Sequence, residues 1–513
     1  MTTLIDRSLP TIMGRVLRPT DPGYDEARSV WNAMVDRRPR LIVQCASTAD
    51  VSAAVRHARE HDMRIGVRCG GHSIVGLAVP DGGLMIDLRA MDAVRVDPAQ
   101  RRATIQGGAL LGRLDQAAQV HGLATTAGNV SHTGVGGLTL GGGMGWLARQ
   151  HGLACDNVVS FEMITADGDI VHASAAENAD LYWGLRGGGG NFGIVTRFEF
   201  QLHPVGTRAL VAEYTFPIED AADVLRAWRD LSVDAPRAAT FTASVGSELT
   251  VGFVWVGDPE GGRRLLPAMR ELGRPLEGCV EETSYLRLQT RDDTPQGHSL
   301  RRYWKGHYFT HLADDAIDAM VRRGTPDGEG DMLPAFTLQA YGGAIADVPD
   351  ADSAFGHRDT RFEYVAAARW SRAAEDAARM AAARACAAAL DQFATGAYVN
   401  TLTNEGRAGV RRAYRPDQLS RLTALKDQYD PDNAFRLNQN IRPSTTTQPA
   451  ARPAHEVTGP GIPHVGQRFA IPRAHPTWSH SSAPVPDSTT ASSSNAPRRK
   501  EPPNKPRDTP IHR

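Results

Sequence analysis

Apolar residues in the first two hundred positions fall into short runs, and these runs predict strands separated by helices. Runs of five or six residues predict strands at Leu41–Ala46, Arg64–Cys69 and Leu84–Leu88. Between the first two lies Asp50–His61, where apolar residues recur at helical spacing, and Ser47 with an acid three positions later is a typical helix start. The pattern therefore predicts an α+β layer in this part of the chain.

The following segments predict further short elements of both kinds. They are a hairpin at Val94–Gln106, a helix at Ala109–His121, a hairpin at Asp156–His172, a helix around Asp180–Leu185 and a strand at Ile194–Gln201. Strands and helices that follow one another at such short intervals indicate a nucleotide-binding arrangement of layers.

A second region, from about Thr207 to Ala394, also alternates strand-like runs with helices. The predicted strands are Ala209–Thr215, Phe241–Val245, Thr250–Trp255, Ala335–Tyr341 and Phe362–Ala368. The predicted helices are Ala221–Leu231, Arg263–Leu272 and Ser371–Phe393. The last residues, 444–513, are rich in proline, serine and threonine, and we expect them to be disordered because they cannot bury enough apolar area.

Glycine is abundant, at 50 of 513 residues, and it clusters in three stretches: Val67–Ser73, Gly128–Gly145 and Gly187–Gly193. Eight glycines in the second stretch predict a loop rather than a helix or strand. The valine, leucine and methionine side chains between them argue against a solvated linker. A glycine loop with apolar side chains folded inward is typical of a backbone-lined site for a cofactor with a pyrophosphate and a flat ring.

The third stretch contains a formal G-x-G-x-x-G pattern at Gly188, Gly190 and Gly193. A Rossmann fingerprint requires a strand before the glycines and a helix after them, whereas here the predicted order is reversed. The sequence therefore predicts no NAD site.

Charge and cysteine content narrow the class of protein further. The formal net charge of −1 gives no reason to expect binding to nucleic acid or to an anionic membrane. Five scattered cysteines suggest a reducing compartment, no disulfide framework and no metal site. The first residues lack the apolar core of a secretion signal, and no run is long enough to span a bilayer, so we expect a cytoplasmic protein.

Five motifs occur in a fixed order along the chain: R-C-G-G-H-S, G-x5-G-V-G-G-L-x-L-G-G-G-M-G, D-N-V, G-G-G-N-F-G-I-V-T and, at Tyr429–Ile441, Y-D-P-D-N-A-F-R-L-N-Q-N-I. Together they resemble the FAD-linked oxidases of the vanillyl-alcohol oxidase / para-cresol methylhydroxylase superfamily, in its berberine-bridge-enzyme-like and 6-hydroxy-D-nicotine-oxidase-like branch. The resemblance covers roughly Gly14 to Pro443. It implies a two-part FAD-binding domain (1–206 and 395–443) and a substrate domain (207–394) with helices on one face of an antiparallel sheet.

The resemblance also implies how FAD is held. His72 corresponds to the histidine that bonds covalently to the 8α-methyl of the flavin ring, a tether that raises the ring's redox potential. Many relatives add a second bond from a cysteine, but Val130 occupies that position here and Cys155 lies well outside it, so one covalent bond is expected. The other expected FAD-binding residues are Arg68, Gly70, Gly71, Ser73, Gly76, Gly128, Thr133, Gly134, Gly136, Gly137, Leu138, Gly141, Gly143, Asn157, Gly193, Val195, Asn400, Asn438 and Asn440.

Two neighbouring residues bear on the reaction with oxygen and on how well the chain matches the family pattern. Thr133 stands where the family has a small branched residue near the oxygen-reacting face of the flavin, which favours an oxidase over a dehydrogenase. His132 departs from the family pattern.

Tyr398, Tyr341 and Gln339 are the catalytic candidates. Tyr398 and Asn400 match a Y-x-N motif that reaches the active site in the family, although a tyrosine acts as a base only where its pKa is lowered. Period-two geometry places Gln339 and Tyr341 on one face of a strand, which in relatives lies over the flavin. Tyr341 could equally be a packing residue, and Glu363 on another predicted strand is interpreted as a solvated charge.

The resemblance implies an FAD-dependent oxidase that takes a hydride from a small secondary metabolite and reduces dioxygen to hydrogen peroxide. The two tyrosines favour an alcohol or sugar hydroxyl as the oxidised group. The alternatives are amine oxidation, oxidative C–C or C–O ring closure by the same flavin, or a flavoprotein with only a binding role. The expected partners are the substrate and O2, with no nucleic acid or membrane, and the chain is expected to be a monomer or homodimer.

Overall fold

The fold is taken from a computed structural model, which describes residues 12–294, 300–324 and 333–445. These residues belong to one compact unit, so the predicted domain boundaries at 206/207 and 394/395 stay predictions. Nearly all of the predicted disordered tail, from residue 446 onward, lies outside the described residues.

The described residues form short strands and helices along the whole chain. The strands are β1 (Arg15–Leu17), β2 (Leu41–Gln44), β3 (Ile65–Arg68), β4 (Leu84–Asp87), β5 (Val94–Asp97), β6 (Arg102–Gln106), β7 (Leu123–Ala124), β8 (Val158–Ile164), β9 (Ile170–Ser174), β10 (Ile194–Gln201), β11 (His203–Pro204), β12 (Arg208–Phe216), β13 (Ala239–Val245), β14 (Leu249–Val256), β15 (Glu277–Ser284), β16 (Arg301–Phe309), β17 (Ala335–Ala340) and β18 (Phe362–Trp370). The helices are α1 (Tyr24–Arg28), α2 (Thr48–Glu60), α3 (Leu111–Gln119), α4 (Val135–Leu140), α5 (Ala148–His151), α6 (Ala179–Leu185), α7 (Ala221–Val233), α8 (Pro259–Arg263), α9 (Leu266–Arg270), α10 (Tyr285–Gln289), α11 (Asp314–Gly324), α12 (Ala344–Asp347), α13 (Asp376–Ala388), α14 (Gly406–Ala413) and α15 (Pro416–Tyr429).

Two larger sheets and a two-stranded sheet of β7 and β11 form the first part of the fold. The first has the order β1-β2-β4-β3, with β2 and β3 both parallel to β4, and the second is antiparallel with the order β5-β6-β10-β8-β9. The predicted helix start is confirmed, because the Ser47 side chain accepts a hydrogen bond from the Asp50 N–H at 3.2 Å. Both predicted hairpins are confirmed as β5–β6 and β8–β9.

The second glycine stretch is not wholly a loop as predicted, because it contains the six-residue helix α4. One of its two glycines, Gly136, lies close to other backbone. A Cβ on Gly136 would lie 3.2 Å from the carbonyl oxygen of Gly107. Tertiary packing has overridden a low helix propensity here.

A seven-stranded antiparallel sheet, in the order β15-β12-β14-β13-β17-β18-β16, forms the second part of the fold. Strands β15 and β16 were not predicted from the sequence, since one is a polar edge strand and the other begins with two arginines. The helix predicted at Arg263–Leu272 is two short helices, and the one predicted at Ser371–Phe393 forms α13 only at Asp376–Ala388. The α+β fold class is confirmed.

The two faces of this sheet have different environments. On one face, alternate residues of the strands pack against α7, α9, α11 and α13 around Trp228 and Phe241. The opposite face contributes Tyr308 and Tyr341 to the core of the first part of the fold. The sheet therefore presents the face that carries Tyr308 and Tyr341 to the region where the glycine stretches meet.

A buried carboxyl group links the two parts of the fold. Asp115 of α3 accepts a hydrogen bond from Gln289 Nε2 of α10 at 3.1 Å, and the same amide donates to the Gly128 carbonyl at 3.3 Å. Burial raises the pKa of Asp115 to about 7. The folded state therefore favours the protonated carboxyl, and the resulting stability is lost as pH rises through about 7.

Asp115→Asn is expected to raise the free energy of unfolding at pH 8 by up to about 4 kcal/mol, because an amide needs no deprotonation. At pH 4 the two proteins should differ little. Thermal unfolding at both pH values checks this. Equal gains at pH 4 and pH 8 would contradict the assignment of the effect to ionisation of Asp115.

Candidate active site

A cavity of about 520 Å³ lies where the three glycine stretches meet the seven-stranded sheet, on the face that carries Tyr308 and Tyr341. Its walls come from the end of β3, from the region around α4, from the loop before β10, and from the C-terminal motif, which contributes Phe435 and Asn438. Gln339, Glu363 and Val365 contribute from the sheet. The surface exposed in the cavity is predominantly apolar, as is usual for a small-molecule site.

The first two glycine stretches cross in direct contact. A Cβ on Gly70 would lie 2.3 Å from the backbone nitrogen of Gly134, and a Cβ on Gly134 would lie 2.3 Å from Sγ of Cys69. Because real Cβ atoms do not approach other atoms so closely, both positions require glycine. The crossing brings His72 and Thr133 to the same wall of the cavity.

The lining has the properties that a large cofactor requires. Cβ atoms on Gly137 and Gly190 would meet no atom within 4 Å, so the absent side chains leave room along the wall. Among the described residues, the buried oxygens Asn129 Oδ1 and Asn438 Oδ1 have no hydrogen-bond partner. A buried polar atom normally has a partner, and a ligand with hydrogen-bond donors would satisfy these two. The residues present therefore fit a bulky group such as FAD.

His72 is held on three sides. Its ring stacks on Trp31, with ring centroids 4.8 Å apart and an interplanar angle of 15°. Its Nε2 lies 2.8 Å from Nδ1 of His132, and its Nδ1 lies 3.3 Å from Oγ1 of Thr133. Arg302 stacks on Trp31 with its guanidinium carbon 3.9 Å from the ring centroid. The sequence indicated no role for His132, and its contact with His72 depends on the glycine crossing.

Most of the predicted site residues line this one cavity. They are His72, Gly70, Gly71, Ser73, Gly128, Thr133, Gly134, Gly136, Gly137, Leu138, Gly141, Gly193, Val195, Gln339, Tyr398, Asn400 and Asn438.

Six predicted site residues are not among the lining residues: Arg68, Gly76, Gly143, Asn157, Asn440 and Tyr341. Asn157 donates to the carbonyls of His151 and Leu153, so its side chain is used within its own segment. The Arg68 guanidinium donates to the carbonyl of Ala27. These contacts indicate structural roles for Asn157 and Arg68.

Tyr398 lies between the glycine stretches and the sheet. Its hydroxyl oxygen accepts hydrogen bonds from the Gly143 N–H at 2.8 Å and from Asn400 Nδ2 at 2.9 Å. Both bonds favour the phenolate, but burial outweighs them, and the pKa of Tyr398 is raised above its ordinary value. The hydrogen bonds place this hydroxyl firmly without making it a strong base near neutral pH.

Glu363 is the titratable group that sequence analysis misjudged. Its side chain is buried, which contradicts the interpretation as a solvated charge. Oε2 accepts a hydrogen bond of 2.6 Å from the hydroxyl of Tyr341, and burial raises the pKa of Glu363 to about 7. Its strand partners are Gln339 on one side and Tyr308 on the other. A carboxyl group with such a pKa, in a cavity wall, is suited to proton transfer near neutral pH.

Lys426 fixes the C-terminal motif against the third glycine stretch. Its fully buried ammonium donates to Asp430 Oδ2 at 2.6 Å and to the carbonyls of Asn191 and Phe435 at 2.8 and 2.9 Å. Asn191 and Phe435 both line the cavity. The lysine therefore holds two parts of the cavity wall together, a role that the motif did not reveal.

Lys426→Met is expected to destabilise the protein by about 3–5 kcal/mol, because it leaves the Asp430 carboxylate buried without its partner. Thermal unfolding followed by flavin fluorescence measures the loss. The double variant Lys426→Met/Asp430→Asn removes both charges and should recover part of it. No recovery in the double variant would contradict a buried charge as the cause.

Comparison with family models shows two matches. Residues 39–174 match the model described as "FAD binding domain", and residues 397–442 match the model described as "Berberine and berberine like". Together they include the first two glycine stretches, Tyr398 and the C-terminal motif.

Known proteins are similar over most of the chain. The sequence is 31% identical to (R)-6-hydroxynicotine oxidase of Paenarthrobacter nicotinovorans, covering 84% of this chain and 97% of that protein. The fold is similar to crystal structures of 6-hydroxy-D-nicotine oxidase from Arthrobacter nicotinovorans (TM-score 0.76, 30% identity, 85% and 99% of the chains). It is also similar to glucooligosaccharide oxidase from Acremonium strictum (TM-score 0.76, 26% identity, 84% and 97%), in which FAD is 6-S-cysteinyl, 8α-N1-histidyl.

Proposed function

Because the chain belongs to the FAD-linked oxidoreductases of the berberine-bridge-enzyme-like family, we propose that it oxidises a hydroxyl-bearing carbon of a small molecule and passes the electrons to dioxygen. FAD is the cofactor of this family, and when bound it supplies the hydride acceptor. The chain's own residues accept the substrate's proton, orient the substrate and form its surroundings.

The observation that carries the proposal is a pair of unsatisfied polar atoms on the sheet face that lines the cavity. Among the described residues, Glu363 Oε1 and Gln339 Nε2 are buried without hydrogen-bond partners. The two residues are directly opposite each other on β17 and β18, and both line the cavity. One atom accepts and the other donates, so a hydroxyl group, which does both, satisfies the pair.

Glu363 is the proposed proton acceptor. With a pKa of about 7 it is partly ionised near neutral pH, whereas burial keeps Tyr398 protonated. The Tyr341 hydroxyl holds one carboxylate oxygen at 2.6 Å, which leaves Oε1 directed to a substrate. In this assignment Glu363 takes the hydroxyl proton, Gln339 and Tyr398 position the alcohol, and Tyr341 orients the base.

His72 is the proposed covalent anchor of FAD. Because Val130 has no thiol, the bond to His72 is proposed to be the single covalent bond. The stacking on Trp31 and the contact with Thr133 hold the imidazole at the cavity wall. A covalent anchor fixes the flavin relative to Glu363 without depending on noncovalent affinity alone.

Thr133 is proposed to leave the oxygen-reacting face accessible. Thr133→Leu is expected to slow reoxidation of the reduced enzyme by oxygen about tenfold, or about 1.4 kcal/mol in the barrier. Stopped-flow mixing of photoreduced enzyme with oxygen measures this rate. Thr133→Val is the matched control, since it also removes the hydroxyl but keeps the shape, and it should reoxidise at the wild-type rate. Equal reoxidation rates in all three proteins would show that Thr133 does not control the access of oxygen to the flavin.

Amine oxidation is the second candidate, because a relative that is 31% identical is a hydroxynicotine oxidase. Hydrogen peroxide release from a panel of alcohols, sugars and amines distinguishes the two. Peroxide from hydroxyl compounds, lost in Glu363→Gln, is the expected result. Peroxide only from amines would favour the second candidate, and a shifted flavin spectrum without bleaching would indicate a binding role.

A further inference from the structure

We propose that His132 is a positioning residue for flavin attachment: in the proposed arrangement its Nδ1 accepts a hydrogen bond from Nε2–H of His72, which leaves the lone pair of His72 on Nδ1. The inference rests on the proposed function of His72 as the covalent anchor. It accounts for a residue that departs from the family motif.

The contacts on the two ring nitrogens of His72 differ in length. Nε2 lies 2.8 Å from His132 Nδ1, a short hydrogen-bond distance, whereas Nδ1 lies 3.3 Å from Thr133 Oγ1. In a neutral imidazole one nitrogen donates and the other accepts, and the hydrogen bond on one nitrogen determines the role of the other. In the proposed arrangement His132 accepts the proton on Nε2, and Nδ1 of His72 carries the lone pair.

The surroundings hold the two rings in this relation. Trp31 stacks on His72, and His132 meets it with ring centroids 4.7 Å apart and an interplanar angle of 45°. The backbone N–H of Trp31 also donates to the carbonyl of Gly71, one residue before His72. The Gly70–Gly134 crossing fixes the backbone of both histidines, because a Cβ on Gly70 would lie 3.0 Å from the carbonyl oxygen of His132.

Attachment requires a lone pair on the attacking nitrogen. Nδ1 of His72 forms the new bond to the 8α-carbon of the flavin methyl, and a C–H bond of that carbon breaks. The two electrons of that bond would pass to the flavin ring together with two protons, one from the carbon and one from the imidazole. Dioxygen then accepts the two electrons and two protons and becomes hydrogen peroxide. If His72 instead carried its proton on Nδ1, it would have no lone pair there.

The test follows covalent attachment itself rather than turnover. The full chain is produced in a riboflavin-starved host and mixed with FAD in air, and acid-insoluble flavin is measured over time for the wild type, His132→Ala and His132→Asn. His132→Ala should attach flavin about 10- to 100-fold more slowly, by analogy with the loss of metal affinity or activity when the partner of a metal-ligating histidine is removed. His132→Asn should attach it near the wild-type rate, because the amide oxygen occupies the place of Nδ1 and accepts the same bond.

Two controls separate failure of this inference from failure of the anchor or of folding. His121→Asn replaces an exposed histidine and should leave the rate unchanged, and His72→Ala should give no acid-insoluble flavin. Noncovalent FAD binding, measured before acid is added, identifies a variant that has not folded. A wild-type rate in a folded His132→Ala, or an equally slow His132→Asn, would overturn the inference, whereas wild-type protein without covalent flavin would overturn the anchor.

Discussion

Glu363→Gln should lower kcat by about 10²- to 10⁴-fold, the usual contribution of a general base, while FAD remains bound. The amide has the shape of the carboxyl and can still accept the hydrogen bond from the Tyr341 hydroxyl, so the cavity should keep its form. In the wild type, kcat should rise with pH through about 7 as Glu363 loses its proton. The variant should lose this dependence.

The stability of Glu363→Gln should increase at high pH, in contrast to its kcat. Because folding raises the pKa of Glu363, its stabilising effect is present at low pH and is lost as pH rises through about 7. Glu363→Gln should therefore be more stable than the wild type at pH 8 by up to about 3 kcal/mol. Glu213→Gln, on β12 of the same sheet and paired with Arg291, is the matched control for both measurements. A wild-type kcat and pH profile in Glu363→Gln would assign the base to another residue, Tyr398 first.

His72→Ala should abolish covalent flavin altogether. The glycine walls and the lining amides are unchanged, so the variant should still bind FAD, but acid should release all of it. Hydride transfer should also be slower, because the covalent link raises the redox potential of the ring. Acid precipitation measures the first effect, and anaerobic reduction by substrate measures the second.

His121→Ala, which removes an exposed histidine, should keep its covalent flavin. Acid-insoluble flavin at the wild-type level in His72→Ala would show that another side chain forms the bond. The cysteine at position 69 also lines the cavity and is the first residue to examine in that event.

Local sequence patterns predicted much of the first part of the fold. Ser47 begins its helix as expected, and the hairpins β5–β6 and β8–β9 follow from alternating apolar residues with turn residues between them. The seven-stranded sheet was harder to predict. Strand β15 lies at a sheet edge and carries polar residues on both faces, so its pattern resembles that of a loop.

Motifs predicted most of the cofactor wall because its residues lie in contiguous glycine stretches. The proton acceptor was missed for a different reason. Glu363 is opposite Gln339 only through the register of β17 and β18, and no local pattern reveals that register. Likewise, the contact between His72 and His132 depends on the crossing of two glycine stretches that are about sixty residues apart.

The most direct test of the whole account is the location of the flavin in the wild-type protein. The purified protein is precipitated with acid, the pellet is digested, and the mass of the flavin-bearing peptide is determined. The account predicts that the flavin stays in the pellet, on one peptide, attached at His72 and at no other residue. Flavin found entirely in the supernatant, or on a peptide without His72, would contradict it.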